Sequence, residues 1–366
     1  MKRYSYLLIL FLTAHAWSAN KARNVILFLG DAAGLPTLNA ASIHAYGEPT
    51  RLYVQRMPHV GLSETSSSAD WITDSAAGMT AIVTGQKTKN GTLSQLPGSG
   101  DQEGAALKTI LEYAEEHGLS TGLISNSPMY DATPAACYAH AGSRKKTGDI
   151  FVQIWKPRFG DGVDLVFGPG RKAVVTALGE MGVDLAAELQ QHGYSYANSM
   201  EQLPAGAKRA VVLTDDTDFD ITSATRTAIA ILSRNPKGFF LMVESDLHSD
   251  KLQRGLERVP VFDRLIEQTA RDLKKDTLVM FTADHSFNLR TVQSLPKGNR
   301  LFTLDPAGKA VPSKGVTVDG HHAGEPVLVA AEGPGAERIH GFLANTDLFH
   351  LMLQAWGWKS EDGATH

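Results

Sequence analysis

Several features are scarce or absent in this 366-residue chain. It contains one cysteine, Cys137, so no disulfide can form within the chain, and its stability must come from packing or bound ions. After the N-terminal segment, no stretch reaches the roughly 18 uninterrupted apolar residues of a transmembrane helix. The 39 acidic and 35 basic residues nearly balance and form no basic stripe, which argues against nucleic acid as a partner. What remains is an ordinary globular composition.

The first residues have the pattern of a targeting signal. Lys2 and Arg3 precede an apolar run, 6–12, and an Ala-His-Ala triplet follows with the small residues that a signal peptidase reads. We expect residues 1–19 to be a secretory signal peptide, cleaved near 16–19, which would make the protein periplasmic or secreted. The mature form is then expected to lie free of the membrane. The alternative is a retained N-terminal anchor.

Apolar runs that suit buried strands alternate with segments of helical period. The predicted strands are 24–30, 120–125, 163–167, 210–214, 239–244, 277–282 and 327–331. The predicted helices are 105–117, 260–274 and 345–356, with another beginning at Ser75. This alternation predicts an α/β fold, a mostly parallel central sheet with helices on both faces. Because no linker or repeat interrupts it, residues 20–366 are expected to form one domain, with the aperiodic segment 286–320 as a short surface excursion.

Side chains of the metal-ligand types follow four of the predicted strands. They are Asp31; Asp131 and Thr133; Glu244, Asp246 and His248; and Asp284 and His285. Taken singly, each such Asp is typical of a turn or a helix cap. Taken together, they are expected to meet, because ligands of such sheets collect beyond the carboxyl ends of the strands. Clustered carboxylates repel one another unless cations neutralise them, so the pattern favours a metal centre.

The residue types also indicate which metals would suit this centre. Asp next to His is suited to zinc, which binds oxygen and nitrogen ligands. Carboxylates with a hydroxyl and no histidine, as in Asp131, Thr133 and Glu244, suit a harder ion such as magnesium.

A candidate nucleophile, Ser75, lies at the start of a predicted helix. It follows Asp74 and precedes small residues of helical habit. The backbone N–H groups and the positive end of the helix dipole would favour an anion there. The alternative is that Asp74 or Ser75 simply caps the helix. The chain has no G-x-S-x-G elbow, so a nucleophilic serine here would need a metal, rather than a histidine, to lower its pKa.

Five segments together resemble alkaline phosphatase, in order and in approximate spacing, over residues 23–352. They are 24–34, 73–93, 131–145, 282–286 and 321–336. The resemblance implies a phosphate-monoester hydrolase with two zinc ions and one magnesium ion on an α/β sheet, acting through a phosphoserine intermediate. It implies phosphate monoesters as substrates and inorganic phosphate as product and inhibitor. A homodimer, which is frequent in the family, is left open.

The resemblance also implies roles for individual residues. Ser75 looks like the serine that becomes phosphorylated, and Arg144, which follows Asp131 by thirteen residues, looks like the phosphate-binding arginine. The planar guanidinium of an arginine is suited to two phosphoryl oxygens at once. The implied ligands of the zinc that activates the serine are Asp31, Ser75, Asp284 and His285. The implied ligands of the magnesium are Asp31, Asp131, Thr133 and Glu244.

The match to the family fails after Glu244. The family has an Asp five residues later and a His four beyond it, whereas this chain has Asp246, His248 and Asp250. The resemblance implies His322 as one ligand of the second zinc. We predict that Asp246 and His248 complete that site, and the alternative is Asp246 with Asp250. Such a more acidic site would suit another divalent ion.

Other functions fit parts of this pattern. A phosphodiesterase or broad-specificity esterase of the same superfamily would share the two metals, but Arg144 and the magnesium set add positive charge that suits a dianionic monoester. A sulfatase is disfavoured because Cys137 lacks the required Pro and Arg neighbours. A catalytically silent phosphate-binding protein would keep the anion pocket and need no serine. The brief excursion at 286–320 implies a small crown and an open entrance.

Overall fold

A computed structural model describes residues 21–98, 103–292 and 295–360. The predicted signal peptide, 1–19, lies outside these residues. The strands are β1 (Asn24–Asp31), β2 (His59–Ser63), β3 (Ser120–Ser125), β4 (Leu165–Pro169), β5 (Ser195–Ala197), β6 (Ala210–Thr214), β7 (Phe239–Asp246), β8 (Thr277–Thr282), β9 (Ser286–Thr291), β10 (Phe302–Leu304), β11 (Ala310–Pro312), β12 (Val316–Ala323), β13 (Val327–Glu332) and β14 (Gly341–Leu343). The α-helices are α1 (Leu35–Tyr46), α2 (Ser75–Thr84), α3 (Ile110–Glu116), α4 (Ala132–Tyr138), α5 (Thr147–Phe151), α6 (Arg171–Glu180), α7 (Leu185–Gln191), α8 (Ile221–Leu232), α9 (Leu252–Leu273) and α10 (Asp347–Trp356).

Ten strands form the central sheet, in the order β14-β2-β13-β8-β1-β7-β3-β4-β6-β5. Pairing is parallel from β8 through to β5, whereas β13 runs antiparallel to both β8 and β2. The prediction of a mostly parallel α/β sheet is confirmed. All residues of β1 are buried, because this strand lies between β7 and β8 and is covered on both faces. Its continuous apolar run is typical of such a strand.

Helices cover the sheet on both faces, as predicted. Val25, Leu27 and Leu29 of β1 point into one hydrophobic core, which contains residues of α2, α3, α4 and α10. Ile26 and Phe28 point into the other core, with residues of α1, α8 and α9. The period-two alternation of side chains along a strand thus feeds two separate cores. Among the described residues, no helix combines the length and apolarity needed to cross a membrane.

Two predicted helix starts were wrong. The amphipathic pattern predicted a helix from Pro260, but α9 begins at Leu252 and continues through the proline. The preceding turns are held by burial of their apolar face against the sheet. The helix predicted from residue 105 begins only at Ile110. Thr109 and Glu112 there form a capping box that fixes the start.

The segment 286–320 contains regular structure that its aperiodic sequence did not indicate. Strands β9 and β12 pair antiparallel as a ribbon, with a register shift between Val318 and His322. Strands β10 and β11 form a small separate hairpin. These strands are partly exposed and short, so they carry no clear alternation of apolar and polar residues. The ribbon begins directly after His285 and returns through His322.

Candidate active site

Three neighbouring parallel strands bring acidic residues to one edge of the sheet. Asp31 ends β1, and the register pairs it with Asp246 at the end of β7. Asp284 follows β8, which flanks β1 on the other side. The side chains predicted to gather at the strand ends are therefore neighbours because of strand order and register.

We define the acidic cluster as Asp31, Asp284 and His285, whose ligand atoms lie within 4.8 Å of one another. His285 Nε2 is 3.5 Å from Asp31 Oδ1 and 3.5 Å from Asp284 Oδ2. Both oxygens are buried and have no hydrogen-bond partner among the described residues. Burial, with repulsion from Asp284 and Glu244, raises the pKa of Asp31 well above its ordinary value. Unpaired buried carboxylate oxygens are unfavourable alone and suit a cation between them.

We define the histidine cluster as His248, His285 and His322, whose ligand atoms also lie within 4.8 Å of one another. The rings of His285 and His322 are stacked with their centroids 3.7 Å apart, and the ring of His248 is 5.8 Å from that of His285. Burial is the main cause that lowers the pKa of His285 to about 4. A neutral imidazole is the form that binds a metal, so His285 can serve both clusters.

The ribbon and the segment before α2 fix the orientation of His322. This residue pairs with Phe287 across β9 and β12, and its Nδ1 lies 3.0 Å from the carbonyl oxygen of Thr73. Because a carbonyl can only accept, Nδ1 carries the proton and donates it to Thr73. Nε2 is thereby left with a free lone pair, the arrangement found in metal-binding histidines whose other ring nitrogen donates to a neighbouring group.

His248 and Asp250, the two candidate ligands in the segment where the match to the family fails, lie in different surroundings. His248 belongs to the histidine cluster, and its Nδ1 lies 2.9 Å from Asp246 Oδ1. Burial opposes ionisation of Asp246, but the hydrogen bonds from His248 and the positive charges of His248 and Lys251 together outweigh it and hold the pKa of that carboxyl well below its ordinary value. Asp250 is exposed, and its carboxylate accepts the backbone N–H of Lys251. The chain therefore brings His248, and not Asp250, to the other histidines.

The carboxylate of Glu244 lies between neighbouring strand ends. The register pairs Glu244 with Ser125, whose hydroxyl donates to Glu244 Oε2, while Oε1 is buried with no partner among the described residues. Burial is the main cause that raises the pKa of Glu244 to about 8; Asp131 adds repulsion and a hydrogen bond with Thr133 opposes the shift. Asp131, Thr133 and Glu244, which were predicted to share a site, are therefore close enough to interact.

Ser75 lies where the acidic and histidine clusters meet. Its Oγ is 3.3 Å from Nε2 of His285, the residue common to both. Asp74 caps α2 by accepting the N–H of Ala77 at 3.0 Å, so Ser75 is the first helical residue. A Cβ at Gly78 would come within 2.7 Å of the backbone oxygen of Asp284, and the glycine thus allows the helix start to approach the strand end.

Arg144 forms hydrogen bonds with two acidic residues, Asp74 beside Ser75 and Asp131 near Glu244. Its Nη1 donates to Asp74 Oδ2 at 3.1 Å, and its Nη2 donates to Asp131 Oδ1 at 2.7 Å. The Arg144 side chain remains 26% exposed. Two of its five N–H donors are used in these bonds, so the guanidinium is held in place with donors left for an anion.

Sequence reasoning missed several residues that support the site. Ser125 holds Glu244, and Asn126 Oδ1 accepts the N–H of Asp246 at 2.7 Å. The signal for both was available, since they are polar residues at the end of a predicted buried strand. Arg258, on α9, donates to the backbone oxygen of Asp246 at 3.2 Å. Its contact joins a helix to a strand end, and no local pattern marks it.

These side chains fit divalent cations on chemical grounds. Three carboxylate oxygens at neighbouring strand ends, Asp31 Oδ1, Glu244 Oε1 and Asp284 Oδ2, are buried and have no partner among the described residues, and three imidazoles lie at the same sheet edge. Carboxylate and imidazole are the oxygen and nitrogen donors typical of zinc, and carboxylate with hydroxyl is typical of magnesium. With a serine at a helix N-terminus beside them, fold and site define a metal-dependent hydrolase.

Comparison with known proteins identifies the family. The alkaline phosphatase family model matches residues 22–318, and the chain belongs to that family. The tissue-nonspecific alkaline phosphatase of Rattus norvegicus is 28% identical over 443 residues, which cover 92% of this chain and 84% of that protein. The alkaline phosphatase of Escherichia coli K12 is 29% identical over 421 residues, covering 93% of this chain and 88% of that protein.

Solved structures agree with this assignment. Alkaline phosphatase from the Antarctic bacterium TAB5 is similar with a TM-score of 0.75 and 25% identity, over 93% of this chain and all of that one. A mutant of the TAB5 enzyme with Mg bound in its M3 site has a TM-score of 0.76 at 26% identity, with the same coverage. The predicted resemblance, the fold and the enzyme class, a phosphatase of this family, are confirmed.

Proposed function

We propose that the protein is a periplasmic or secreted phosphate-monoester hydrolase that releases inorganic phosphate through a phosphoserine intermediate on Ser75. The observation that carries this proposal is the position of Ser75 Oγ, 3.3 Å from the histidine common to the two clusters and at the N-terminus of α2. A hydroxyl that merely capped the helix would have no reason to lie against a metal-type cluster, and Asp74 already performs the capping.

The proposed metal content is two zinc ions and one magnesium ion. One zinc would be held by the acidic cluster with Ser75, and the other by His248 and His322 with Asp246. The magnesium would be held by Asp31, Asp131, Thr133 and Glu244. When bound, such cations neutralise phosphoryl oxygens and lower the pKa of a hydroxyl or a water. The unpaired oxygens of Asp31, Asp284 and Glu244 support this assignment.

The protein's own residues position both steps of the reaction. Ser75 Oγ would attack phosphorus, and the bond from phosphorus to the leaving oxygen would break, which gives an alcohol and phosphoserine. Water would then attack the same phosphorus, and the bond to Ser75 Oγ would break, which releases phosphate. The N-terminal dipole of α2 and the remaining N–H donors of Arg144 would stabilise the negative charge spread over the phosphoryl oxygens. Released phosphate would compete for the same groups and act as an inhibitor.

The test is Ser75→Ala, assayed with a monoester labelled in its phosphoryl group. We expect turnover to fall by roughly three orders of magnitude or more, with no labelled protein after an acid quench and metal content retained. The matched control is Ser68→Ala, an exposed serine on the preceding loop, which should trap label like the parent. A labelled Ser75→Ala protein, or undiminished turnover, would overturn the proposal.

A diester assay distinguishes the alternatives. The partly exposed guanidinium of Arg144 favours a dianionic monoester, so a monoaryl phosphate should be turned over much faster than a diaryl phosphate. Faster diester cleavage would indicate a phosphodiesterase. Tight phosphate binding without turnover of either ester would indicate a silent phosphate-binding protein.

We also propose that residues 1–19 direct export and that residues 20–366 form one mature domain. The basic start and apolar run of the N-terminus support this. N-terminal sequencing of the protein recovered from the periplasm or medium tests it, and an intact Met1 in that fraction would contradict the cleavage.

A further inference from the structure

Trp71 is the most exposed large hydrophobic residue among the described parts of the chain. It is 89% exposed, and the next residue, Ile72, is 47% exposed. A tryptophan side chain gains much free energy when its large apolar surface is buried, so an uncovered indole is unfavourable for the folded protein alone. The proposed chemistry of the preceding section makes no use of this ring.

The backbone that carries Trp71 is fixed by hydrogen bonds on either side of it. Asn90 Nδ2 donates to the carbonyl oxygen of Ile72 at 3.1 Å, and Asn90 Oδ1 accepts the N–H of Asp74 at 3.2 Å. Before the tryptophan, the N–H of Ser67 donates to the carbonyl oxygen of Asp70 at 3.0 Å. The ring is therefore presented from an ordered segment, which reduces the entropy lost when a ligand contacts it.

The same segment directly precedes the nucleophile and is hydrogen-bonded to His322 through the carbonyl oxygen of Thr73. Trp71 precedes Ser75 by four residues, so their Cα atoms are at most about 14 Å apart. On the other side it packs against the chain just after His322. A Cβ at Gly324 would come within 3.2 Å of the carbonyl oxygen of Trp71 and 3.5 Å of Ile72 Cγ1. Trp71 thus belongs to the rim of the proposed active site.

In an in-line displacement the leaving oxygen departs on the side of phosphorus opposite the nucleophile. In the proposed reaction that side would face His248 and His322, and the segment that carries Trp71 is held to His322 by the hydrogen bond from its Nδ1 to the carbonyl oxygen of Thr73. A leaving group of nucleoside size extends farther from phosphorus than glycerol and would be better able to contact an indole on this rim. Asp70, exposed beside the tryptophan, would disfavour an anionic leaving group.

We propose that Trp71, with Ile72 beside it, forms a leaving-group subsite that favours phosphate monoesters whose leaving group carries an uncharged aromatic ring, such as an aryl alcohol or a nucleoside. The inference rests on the proposed function and names its substrate class. The indole would stack on the ring in an offset or edge-on arrangement and gain the burial that the free protein lacks. The preference for aromatic over non-aromatic monoesters would appear mainly as a lower KM, because the contact with the indole is remote from phosphorus.

The experiment compares kcat/KM for a nucleoside 5′-monophosphate, an uncharged aryl phosphate and glycerol phosphate in the metal-loaded enzyme. For Trp71→Ala, we expect the preference for either aromatic substrate over glycerol phosphate to fall by about five- to tenfold. Trp71→Phe should keep most of the preference, because it keeps a flat ring. The matched control is Phe342→Ala, which removes a ring that is 78% exposed on the edge strand β14 and should keep the parental preference.

An unaltered preference in Trp71→Ala, or an equal loss with all three substrates, would overturn the subsite. A dimeric parent that becomes monomeric in Trp71→Ala with the preference intact would assign the ring to a contact between copies, and would also overturn it. Failure of the proposed function is distinguishable, because the parent enzyme would then turn over none of the three monoesters and trap no phosphoserine.

Discussion

The acidic cluster and the histidine cluster share His285, but different parts of the fold build them. Asp31 ends the central strand β1 and Asp284 follows β8; both are buried, and each keeps an oxygen that has no partner among the described residues. His248 lies in the loop after β7 and His322 lies on the ribbon, and both are only partly buried. One half of the site is thus fixed by the sheet, and the other half by peripheral segments.

This difference has an electrostatic consequence. Buried carboxylates without partners repel one another, so the acidic cluster depends on cations for its favourable form. Imidazoles repel one another only when they are protonated, and His248 and His322 are more exposed than the two carboxylates. We therefore expect the two halves to respond differently to substitution.

The largest effect is expected from comparing Asp284→Ala with His322→Ala. Asp284→Ala should lower turnover by roughly a thousandfold or more, because losing a metal in this position removes several kcal/mol of charge stabilisation. His322→Ala should be milder, with activity partly restored by excess zinc, since its site is more exposed and keeps His248. The measurements are bound zinc and turnover across a zinc titration. A His322→Ala enzyme that is the more damaged of the two and resists zinc would refute the contrast.

A smaller effect should show whether His248 or Asp250 contributes to the second zinc site. His248→Ala is expected to weaken zinc binding by at least about 10- to 100-fold, the range found when a partner that only orients a ligand is removed, because His248 would itself be a ligand. Asp250→Ala should keep the parental zinc content, because its carboxylate is exposed and contacts the N–H of Lys251. Metal analysis after dialysis against a graded zinc buffer gives the result. Retained zinc in His248→Ala, with loss in Asp250→Ala, would reverse the assignment.

Arg144 belongs to neither cluster and should act on the anion alone. Arg144→Ala is expected to weaken inhibition by inorganic phosphate about tenfold, the value of a charge-assisted hydrogen bond, without loss of zinc. The neighbouring exposed Lys145→Ala is the control for general loss of positive charge. Equal weakening in both variants would show that net charge, rather than the held guanidinium, binds phosphate.

The smallest effect is expected from substituting Asn126, whose side chain accepts a hydrogen bond from Asp246 at the end of β7. Asn126→Ala removes the acceptor of the Asp246 N–H, a bond worth about 1 kcal/mol, so turnover should fall by only about two- to fivefold. Bound zinc should match the parent. The exposed Asn198→Ala serves as the control. A loss of metal in Asn126→Ala would mean that the side-chain amide of Asn126 is required for metal binding and does not only adjust the position of the end of β7.

The sequence was a good guide to the half of the site that the sheet builds. Buried parallel strands have a recognisable apolar run, and their carboxyl ends must share an edge, so Asp31, Asp284 and Glu244 could be placed together in advance. The peripheral half was harder to predict. Whether His248 or Asp250 reaches the site depends on how a short loop packs, and a Cβ at Gly255 on α9 would lie 2.6 Å from the carbonyl oxygen of His248. Spacing alone contains no such information.

The missed helix starts and the unpredicted ribbon have related causes. The start of α9 is set by burial against the sheet, which outweighs the local preference of Pro260 for a first turn. Strand β9 is stabilised by its pairing with β12, which is distant in the sequence. The residues of β9 alone therefore give no clear strand signal. The register shift near His322 likewise arises only from the pairing.

The ribbon of β9 and β12 reaches the histidine cluster at one end. At its base, Ser286 pairs with Ala323 and Phe287 with His322, so that end cannot change without moving two imidazoles. The opposite end joins the small hairpin of β10 and β11, which has no side chain in either cluster. Insertions or deletions in the outer loops are therefore expected to leave the two imidazoles at the base of the ribbon in place.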